Sequence, residues 1–227
     1  MLHGGWYLQF PTRAGMALQH AAEDAGWRDR RMDSSAAAEA RLAAKALEES
    51  ARTILSLKRQ SVAIARICLA VASALRSGRK VLTAGNGGSA SQAMHMAEEF
   101  IGRFRHNRRS LPAVSLAADP TALTCIANDF GFEQVFARQV EGLGRRGDVM
   151  VIFSTSGRSV NLMPAIEAAR KKGVRTVCLL GKGGGPLAGK ADYEIIVPGQ
   201  ATERIQEAHE VILHLILDAV ERIYAGD

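Results

Sequence analysis

The sequence predicts an α/β fold, a doubly wound flavodoxin-like sandwich in which helices cover both faces of a five-stranded parallel sheet. From residue 79 onward, short apolar runs alternate with helical segments, a pattern typical of parallel sheets. The predicted strands are 81–84, 113–117, 149–154, 176–180 and 194–197. The predicted helices of this part are 89–105, 120–127, 132–143, 160–172 and 203–224. Local signals agree, since Asp119 precedes a proline at a first helical position and Gly173 follows a helical segment.

Ahead of the sheet, the sequence predicts a helical hairpin. Ser34 and Ser35 offer an N-cap to a first helix over about 36–57, and a second helix runs over about 60–76 before Gly78. The hairpin has more small and apolar surface than one domain needs to bury, so we expect a homo-oligomer. Residues 1–33 lack a sustained period and are expected to be an N-terminal extension of a domain formed by residues 34–227, with Met32 as an alternative start.

Composition excludes several protein classes. The chain has 227 residues, of which 47% are hydrophobic and 23% charged, as in ordinary globular proteins. No apolar run approaches the roughly 20 residues of a membrane span and no secretory signal is visible, so a cytoplasmic protein without membrane contact is expected. Cys68, Cys125 and Cys178 are odd in number and widely spaced, and we interpret them as core residues.

The formal net charge of +6 by itself indicates no partner. One basic cluster, at residues 103–109, lacks an aromatic platform or a DNA-binding motif, so nucleic acid is not an expected partner. A loop that faces a phosphate or a neighbouring subunit is the alternative.

Two polar loops follow the first and third predicted strands, and each opens a helix. Glycines allow a close backbone approach, hydroxyls donate, and a helix N-terminus favours an anion. Neither loop has the Walker A or the GxGxxG pattern, so a small phosphorylated metabolite is favoured over a nucleotide. A third glycine run, 181–186, indicates only a turn. The two loops contain Asn86, Gly87, Gly88, Ser89, Ser154, Thr155, Ser156 and Ser159.

A metal site is a further hypothesis. His95 and Glu99 are four residues apart on one predicted helix and could ligate a cation together, although a surface ion pair is the ordinary alternative and Glu98 is an equally reachable acid. The last helix contains His214 inside an apolar run, where a core histidine with a hydrogen bond is the alternative to a ligand.

Four blocks together resemble the phosphoheptose isomerases of the sugar isomerase (SIS) fold. They are AGNGGSASQAMHMAEEFIGRF, IANDFGFEQVFARQVEGLGRRGDV, STSGRSVN and RIQEAHEVILH, at 84–104, 126–149, 154–161 and 204–214. The resemblance spans residues 34–224. It implies a cytoplasmic homotetramer that uses zinc to interconvert sedoheptulose 7-phosphate and glycero-manno-heptose 7-phosphate, which supplies heptose to surface glycans such as the lipopolysaccharide core.

The resemblance also implies site residues. The implied zinc ligands are His95, Glu99, Gln206 and His214. The implied substrate contacts are both loops together with Glu99, Arg103, Asn128, Asp129 and Gln206. An aldose–ketose isomerase needs a base and an acid, and the resemblance implies Glu99 and His214 for these roles, with zinc to stabilise the enediolate. Gln92 departs from the family pattern, which usually has Asp there.

Two questions stay open at this point. Gln206 and His214 are eight residues apart, about 12 Å along a helix, so they either stretch towards one ion or come from two subunits. The competing functions are a non-catalytic SIS protein that binds a partner such as the DnaA initiator, a sugar-phosphate sensor, and an isomerase for a shorter sugar phosphate. The acid at residue 99 and the histidine at residue 214 favour the isomerase.

Overall fold

Five parallel strands in the order β2-β1-β3-β4-β5 form the centre of the computed structural model, which describes residues 34–224. The strands are β1 (Val81–Gly85), β2 (Ala113–Ser115), β3 (Val149–Ser154), β4 (Arg175–Gly181) and β5 (Tyr193–Val197). The α-helices are α1 (Ser34–Ser56), α2 (Ser61–Arg76), α3 (Gly88–Ile101), α4 (Pro120–Phe130), α5 (Ala137–Leu143), α6 (Leu162–Lys172) and α7 (Thr202–Tyr224). This strand order confirms the predicted flavodoxin-like sheet.

The predicted extension, residues 1–33, lies outside the described residues. Contacts divide the chain into the units Met1–Leu47 and Glu48–Asp227, and the described part of the first unit is the largely exposed first half of α1. A 3-10 turn, Leu57–Gln60, connects α1 to α2. Among the described helices, none is both long and apolar enough to cross a membrane.

Both faces of the sheet are buried, because successive side chains of a strand point to opposite sides. Val149, Val151 and Phe153 of β3 belong to the core formed with α2, α3 and α7. Met150 and Ile152 of the same strand belong to the core formed with α5 and α6. The near-continuous apolar runs that predicted the strands follow from this two-sided burial.

The predicted helix boundaries are mostly confirmed. The Asp119 carboxylate accepts hydrogen bonds from the backbone N–H groups of Thr121 and Ala122, at 2.9 and 3.1 Å, and so caps α4. Gly173 ends α6 with a left-handed φ of 70°. Gly78, two residues after the end of α2, has the same φ.

Four predictions about local structure are wrong. Helix α3 ends at Ile101 rather than at 105, and the predicted helix 132–143 is split into a 3-10 turn, Phe132–Gln134, and α5. Strand β2 ends at Ser115, two residues early. Cys125 is exposed on α4, whereas Cys68 and Cys178 are buried, and burial raises the pKa of both thiols, that of Cys178 to about 12.

The basic segment after α3 is tied to the end of α7. The buried carboxylate of Glu221 accepts the backbone N–H groups of residues 104–106 at 3.0–3.2 Å. Arg108 donates to the carbonyl oxygens of Glu99 and Phe100 at 2.6 and 2.9 Å, where the last turn of α3 leaves them without helical partners. Part of the basic cluster therefore serves the fold rather than a ligand.

The fully buried histidine of α7 is His209. Its Nε2 donates to the carbonyl oxygen of Leu180 at 3.1 Å, and its ring meets Phe153 edge-on. Burial lowers the pKa of His209 to about 4, the hydrogen bond to Leu180 opposing that shift. The side chain is therefore neutral in the folded protein at physiological pH.

Acidification should destabilise the protein through His209. Its pKa is about 4 in the folded chain and 6.5 in the unfolded chain, so the unfolded state binds more protons between these values. Stability present above pH 6.5 is thus lost as pH falls towards 4, by roughly 3 kcal/mol for this one group. Urea unfolding at a fixed protein concentration measures the loss of unfolding free energy between pH 6.5 and pH 4. In His209→Gln this loss should be smaller than in the wild type by the same amount.

The exposed His106 offers the control for this measurement, because His106→Gln should follow the wild-type curve. Equal pH dependence of His209→Gln and the wild type would contradict the assignment.

Candidate functional site at the carboxyl ends of β1 and β3

Two polar loops leave the sheet side by side because β1 and β3 are neighbours. Gly85 at the end of β1 is in register with Phe153 of β3. Helix α3 then packs on one face of the sheet and α6 on the other, so the loops flank the point where the winding reverses. Open α/β sheets bind ligands at such a point. It collects Asn86, Gly87, Gly88, Ser89, Ser154, Thr155, Ser156 and Ser159.

A pair of amides joins the two loops. Asn86 Nδ2 donates to Asn161 Oδ1 at 2.9 Å, and Asn161 Nδ2 donates to Asn86 Oδ1 at 3.0 Å. Asn161 is fully buried at the start of α6, while Asn86 is partly exposed. The pair sets the distance between the loops and leaves one face of Asn86 open to a ligand.

The loop after β3 is held by its own hydroxyls. Ser154 Oγ accepts the N–H of Gly157 at 3.1 Å, and Ser156 Oγ accepts the N–H of Arg158 at 3.2 Å. Each hydroxyl keeps its own proton, so both can still donate to an anion. Ser154 is buried, whereas Thr155, Ser156 and Ser159 are partly exposed.

The glycine run after β4 supports this loop. Gly157 has a positive φ of 61°, and a Cβ there would overlap the carbonyl oxygen of Gly184. Gly183, Gly184 and Gly185 also have positive φ values, which only glycine adopts freely. The segment predicted to be only a turn therefore packs its backbone against the polar loop and supports it.

Gln206 reaches from α7 to the first loop. A Cβ at residue 88 would overlap the amide nitrogen of Gln206, so Gly88 is needed for this approach. Gly88 lies seven residues before His95 on α3, which is about 10 Å along the helix axis. Within one chain, the predicted ligand Gln206 thus contacts the loop at the N-terminus of α3.

A histidine and carboxylate cluster lies further along the same two helices. His95 Nε2 lies 3.4 Å from Glu99 Oε1, and His95 Nδ1 lies 2.5 Å from Glu210 Oε1. Two groups of ligand atoms within 4.8 Å of one another share His95: one adds Glu210 and His214, and the other adds Glu98 and Glu99. Each group collects side chains of the types that bind metal ions.

His214 is a partly exposed member of this cluster, not the core histidine of α7. Its ring stacks on Phe104 with centroids 5.5 Å apart, and its other neighbour is His95, edge-on at 5.5 Å. Its Nε2 lies 3.8 Å from Glu210 Oε1. These neighbours hold the ring in place. Because the side chain is still 42% exposed, it is open to a ligand.

Three predicted substrate contacts are exposed residues near helix ends. Arg103 is exposed just beyond α3. Asn128 and Asp129 are exposed at the end of α4, where Asn128 Nδ2 donates to Asp129 Oδ1 at 2.7 Å. The same helix lines a cavity of about 480 Å³ beside Asn86, but with Thr124 and its inner face rather than with these two residues.

Sequence reasoning missed three residues of the site. Asn161 was part of a recognised block but was not assigned a contact. Glu210 precedes His214 by four residues on one helix, a spacing that could have revealed it. Gln92 was noted only as a departure, yet it is a buried side chain that bonds to Glu210, and no local signal predicts that pairing.

The amide pair predicts energetic coupling between the loops. Asn86→Ala and Asn161→Ala should each lower the free energy of unfolding by about 1–3 kcal/mol, because each leaves a partly buried amide unpaired. The double variant should cost less than the sum by at least about 0.5 kcal/mol. Denaturant unfolding of the four proteins measures this, with Asn107→Ala, at an exposed residue, as the control. Strictly additive losses would contradict the coupling.

The chain is similar to known proteins in sequence and in fold. The model of the SIS domain matches residues 46–181. A phosphoheptose isomerase of Fusobacterium nucleatum is 51% identical over 158 residues, 70% of this chain and 81% of the relative. One from Yersinia pestis is 46% identical over 181 residues, 78% and 93% of the two chains. The structure of the phosphoheptose isomerase GmhA from Neisseria gonorrhoeae is 37% identical, with a TM-score of 0.75 over 81% of this chain and 98% of that one. The chain belongs to the SIS domain family and, within it, to the phosphoheptose isomerases.

Proposed function

We propose that this protein converts D-sedoheptulose 7-phosphate to D-glycero-D-manno-heptose 7-phosphate. One observation carries the proposal: α3 begins in a loop suited to an anion and, two turns later, presents His95 and Glu99 beside His214. Its similarity to named phosphoheptose isomerases supports a sugar-phosphate isomerase, and the heptose substrate is the finer part of the proposal.

The loops bind the phosphate in this proposal. The N–H groups at the start of α3 carry a partial positive charge, and the hydroxyls of Ser154 and Ser156 have protons to donate. Thr155 and Ser159 add two partly exposed hydroxyls on the same loop. Asn86 of the first loop and Gln206, which lies beside that loop, contact the sugar hydroxyls. Arg103, Asn128 and Asp129 are proposed as outer contacts.

The ligands proposed for a zinc ion are His95, Glu99, Gln206 and His214. Gln206 lies against Gly88, about two turns from His95 along α3, so its side chain would have to turn away from the first loop to join the other three. Imidazole and carboxylate are donors that zinc prefers, and two ligand atoms at about 2.1 Å from a tetrahedral ion lie about 3.4 Å apart. His95 Nε2 and Glu99 Oε1 have this separation, 3.4 Å. When bound, zinc supplies a Lewis acid that stabilises negative charge on the substrate oxygens.

Proton transfer is assigned to Glu99 and His214. Glu99 takes the proton from the carbon that is oxidised and returns it to the adjacent carbon that is reduced. Because Oε1 lies towards His95, the second oxygen of Glu99 is the one assigned to the proton. His214 moves the proton between the two oxygens of the enediolate, and its stacking on Phe104 keeps the ring in place.

The resemblance carries the rest of the proposal: a cytoplasmic homotetramer that supplies heptose for surface glycans such as the lipopolysaccharide core. One surface is suited to a second copy. An apolar cavity of about 620 Å³ between α2 and α7 is bordered by Ile64, Leu69 and Leu215, and Leu69 is 64% exposed. Such apolar exposure is typical of a face that another subunit covers.

The reaction is tested by incubating the purified, metal-analysed protein with sedoheptulose 7-phosphate and following the aldose product by NMR. Turnover should disappear on chelation and return with zinc. A folded protein that binds the sugar phosphate without turnover, with zinc present, would contradict the proposal and favour a non-catalytic SIS protein that binds a ligand or a partner.

Substitutions at the two proton-transfer residues should lower kcat much more than a substitution at a neighbouring acid. Glu99→Gln and His214→Gln should each lower kcat by about 10²- to 10⁴-fold, because each removes a general acid or base. Zinc content is measured in parallel, since both are proposed ligands. Glu98→Gln, the adjacent exposed carboxylate, is the matched variant and should keep most of the activity. A larger loss in Glu98→Gln than in Glu99→Gln would transfer the base to residue 98.

A further inference from the structure

Glu210 of α7 makes the shortest polar contact in the histidine cluster. Its Oε1 lies 2.5 Å from His95 Nδ1 and 3.8 Å from His214 Nε2. Its Oε2 accepts a hydrogen bond from Gln92 Nε2 at 3.0 Å. Both carboxylate oxygens are thus engaged, although the side chain is 31% exposed.

Gln92 holds this carboxylate in place. It is buried on α3, one turn before His95, and its Nε2 donates to Glu210 Oε2 and also to the backbone oxygen of Gln206 at 2.8 Å. Both amide protons are therefore used, and both acceptors lie on α7. An acid at residue 92 would place two carboxylates within hydrogen-bond distance, so the presence of Glu210 favours a donor there.

The two nitrogens of His95 face different kinds of neighbour. The separation of 2.5 Å between Nδ1 and Glu210 leaves no room for an ion shared by the two atoms, because two ligands of one zinc ion lie about 3.4 Å apart. The separation between Nε2 and Glu99 does match that spacing, at 3.4 Å. Nδ1 is therefore the hydrogen-bonding side of the ring and Nε2 the metal side.

We propose that Glu210, held by Gln92, is a positioning residue that fixes His95 as the Nδ1–H tautomer and aims its Nε2 lone pair at the metal. The inference rests on the zinc site of the proposed function and deepens it. A carboxylate on the far nitrogen of a metal-binding histidine orients the ring and raises its basicity as a ligand. Glu210 acts through His95 and touches neither metal nor substrate.

The experiment uses the full-length protein and reads the tautomer and the zinc affinity. Long-range ¹H–¹⁵N spectra of the metal-free protein should show His95 as the Nδ1–H form, its signals identified by their absence in His95→Gln. Glu210→Ala should move this histidine to a mixture that contains the Nε2–H form. Competition with a chromophoric chelator should show zinc binding weakened by about 10- to 100-fold in Glu210→Ala.

Two further variants and one control complete the series. Glu210→Gln keeps an acceptor oxygen and should weaken zinc binding less than Glu210→Ala does. Gln92→Leu should weaken it by about fivefold, the loss of one hydrogen bond that orients Glu210. Glu203→Gln, an exposed carboxylate in the first turn of the same helix, should match the wild type.

Two results would overturn the inference. One is an unchanged tautomer and zinc affinity in Glu210→Ala. The other is a changed coordination number in the cobalt-substituted Glu210→Gln protein, seen in its visible absorption, which would make Glu210 itself a ligand. The proposed function fails separately, since a wild-type protein without isomerase activity could still show the tautomer and affinity shifts at residue 210.

Discussion

The parallel pairing of β1 with β3 is the constraint on which the site depends. It brings the ends of two strands that are separated by more than sixty residues in sequence to one edge, with Gly85 beside Phe153. The chain leaves the two strands towards opposite faces, which opens a crevice between the loops. The reciprocal amides of Asn86 and Asn161 then join the loops across that crevice. Without this register, the hydroxyls and the helix N-terminus would not converge on one anion.

The contact between helices α3 and α7 connects the anion-binding loops to the histidine cluster. Both pack on one face of the sheet and share a core, so polar residues along their contact come together in order. Gln206 meets the loop at Gly88, Gln92 bonds to Glu210, and His95 lies next to His214. The anion-binding end and the histidine cluster are therefore successive levels of one contact between helices, about two turns apart along α3.

Much of this architecture could be predicted from the sequence, because two-sided burial makes the strands continuous apolar runs and the loops between them polar. What the sequence leaves open depends on long-range contacts. His209 and His214 are five residues apart on α7, about 140° around the helix, so they cannot share a face. Their sequence does not indicate which one is buried. Packing against Leu180 and Phe153 makes His209 the core residue and leaves His214 at the cluster.

Long-range contacts also give Gln92 and Glu210 their place in the site, so neither residue can be identified as a site residue from its own helix. The two residues are 118 positions apart, and each is unremarkable on its own helix. Only the register of α3 against α7 places the amide of one on the carboxylate of the other, and the carboxylate on His95 Nδ1. A change at residue 92 is then tied to the residue at 210, because an amide can donate to Glu210 where a second acid would repel it. A sequence motif on one helix contains only one residue of such a pair. The residues that position a metal-ligating side chain are therefore harder to predict from a sequence than the ligating residue itself.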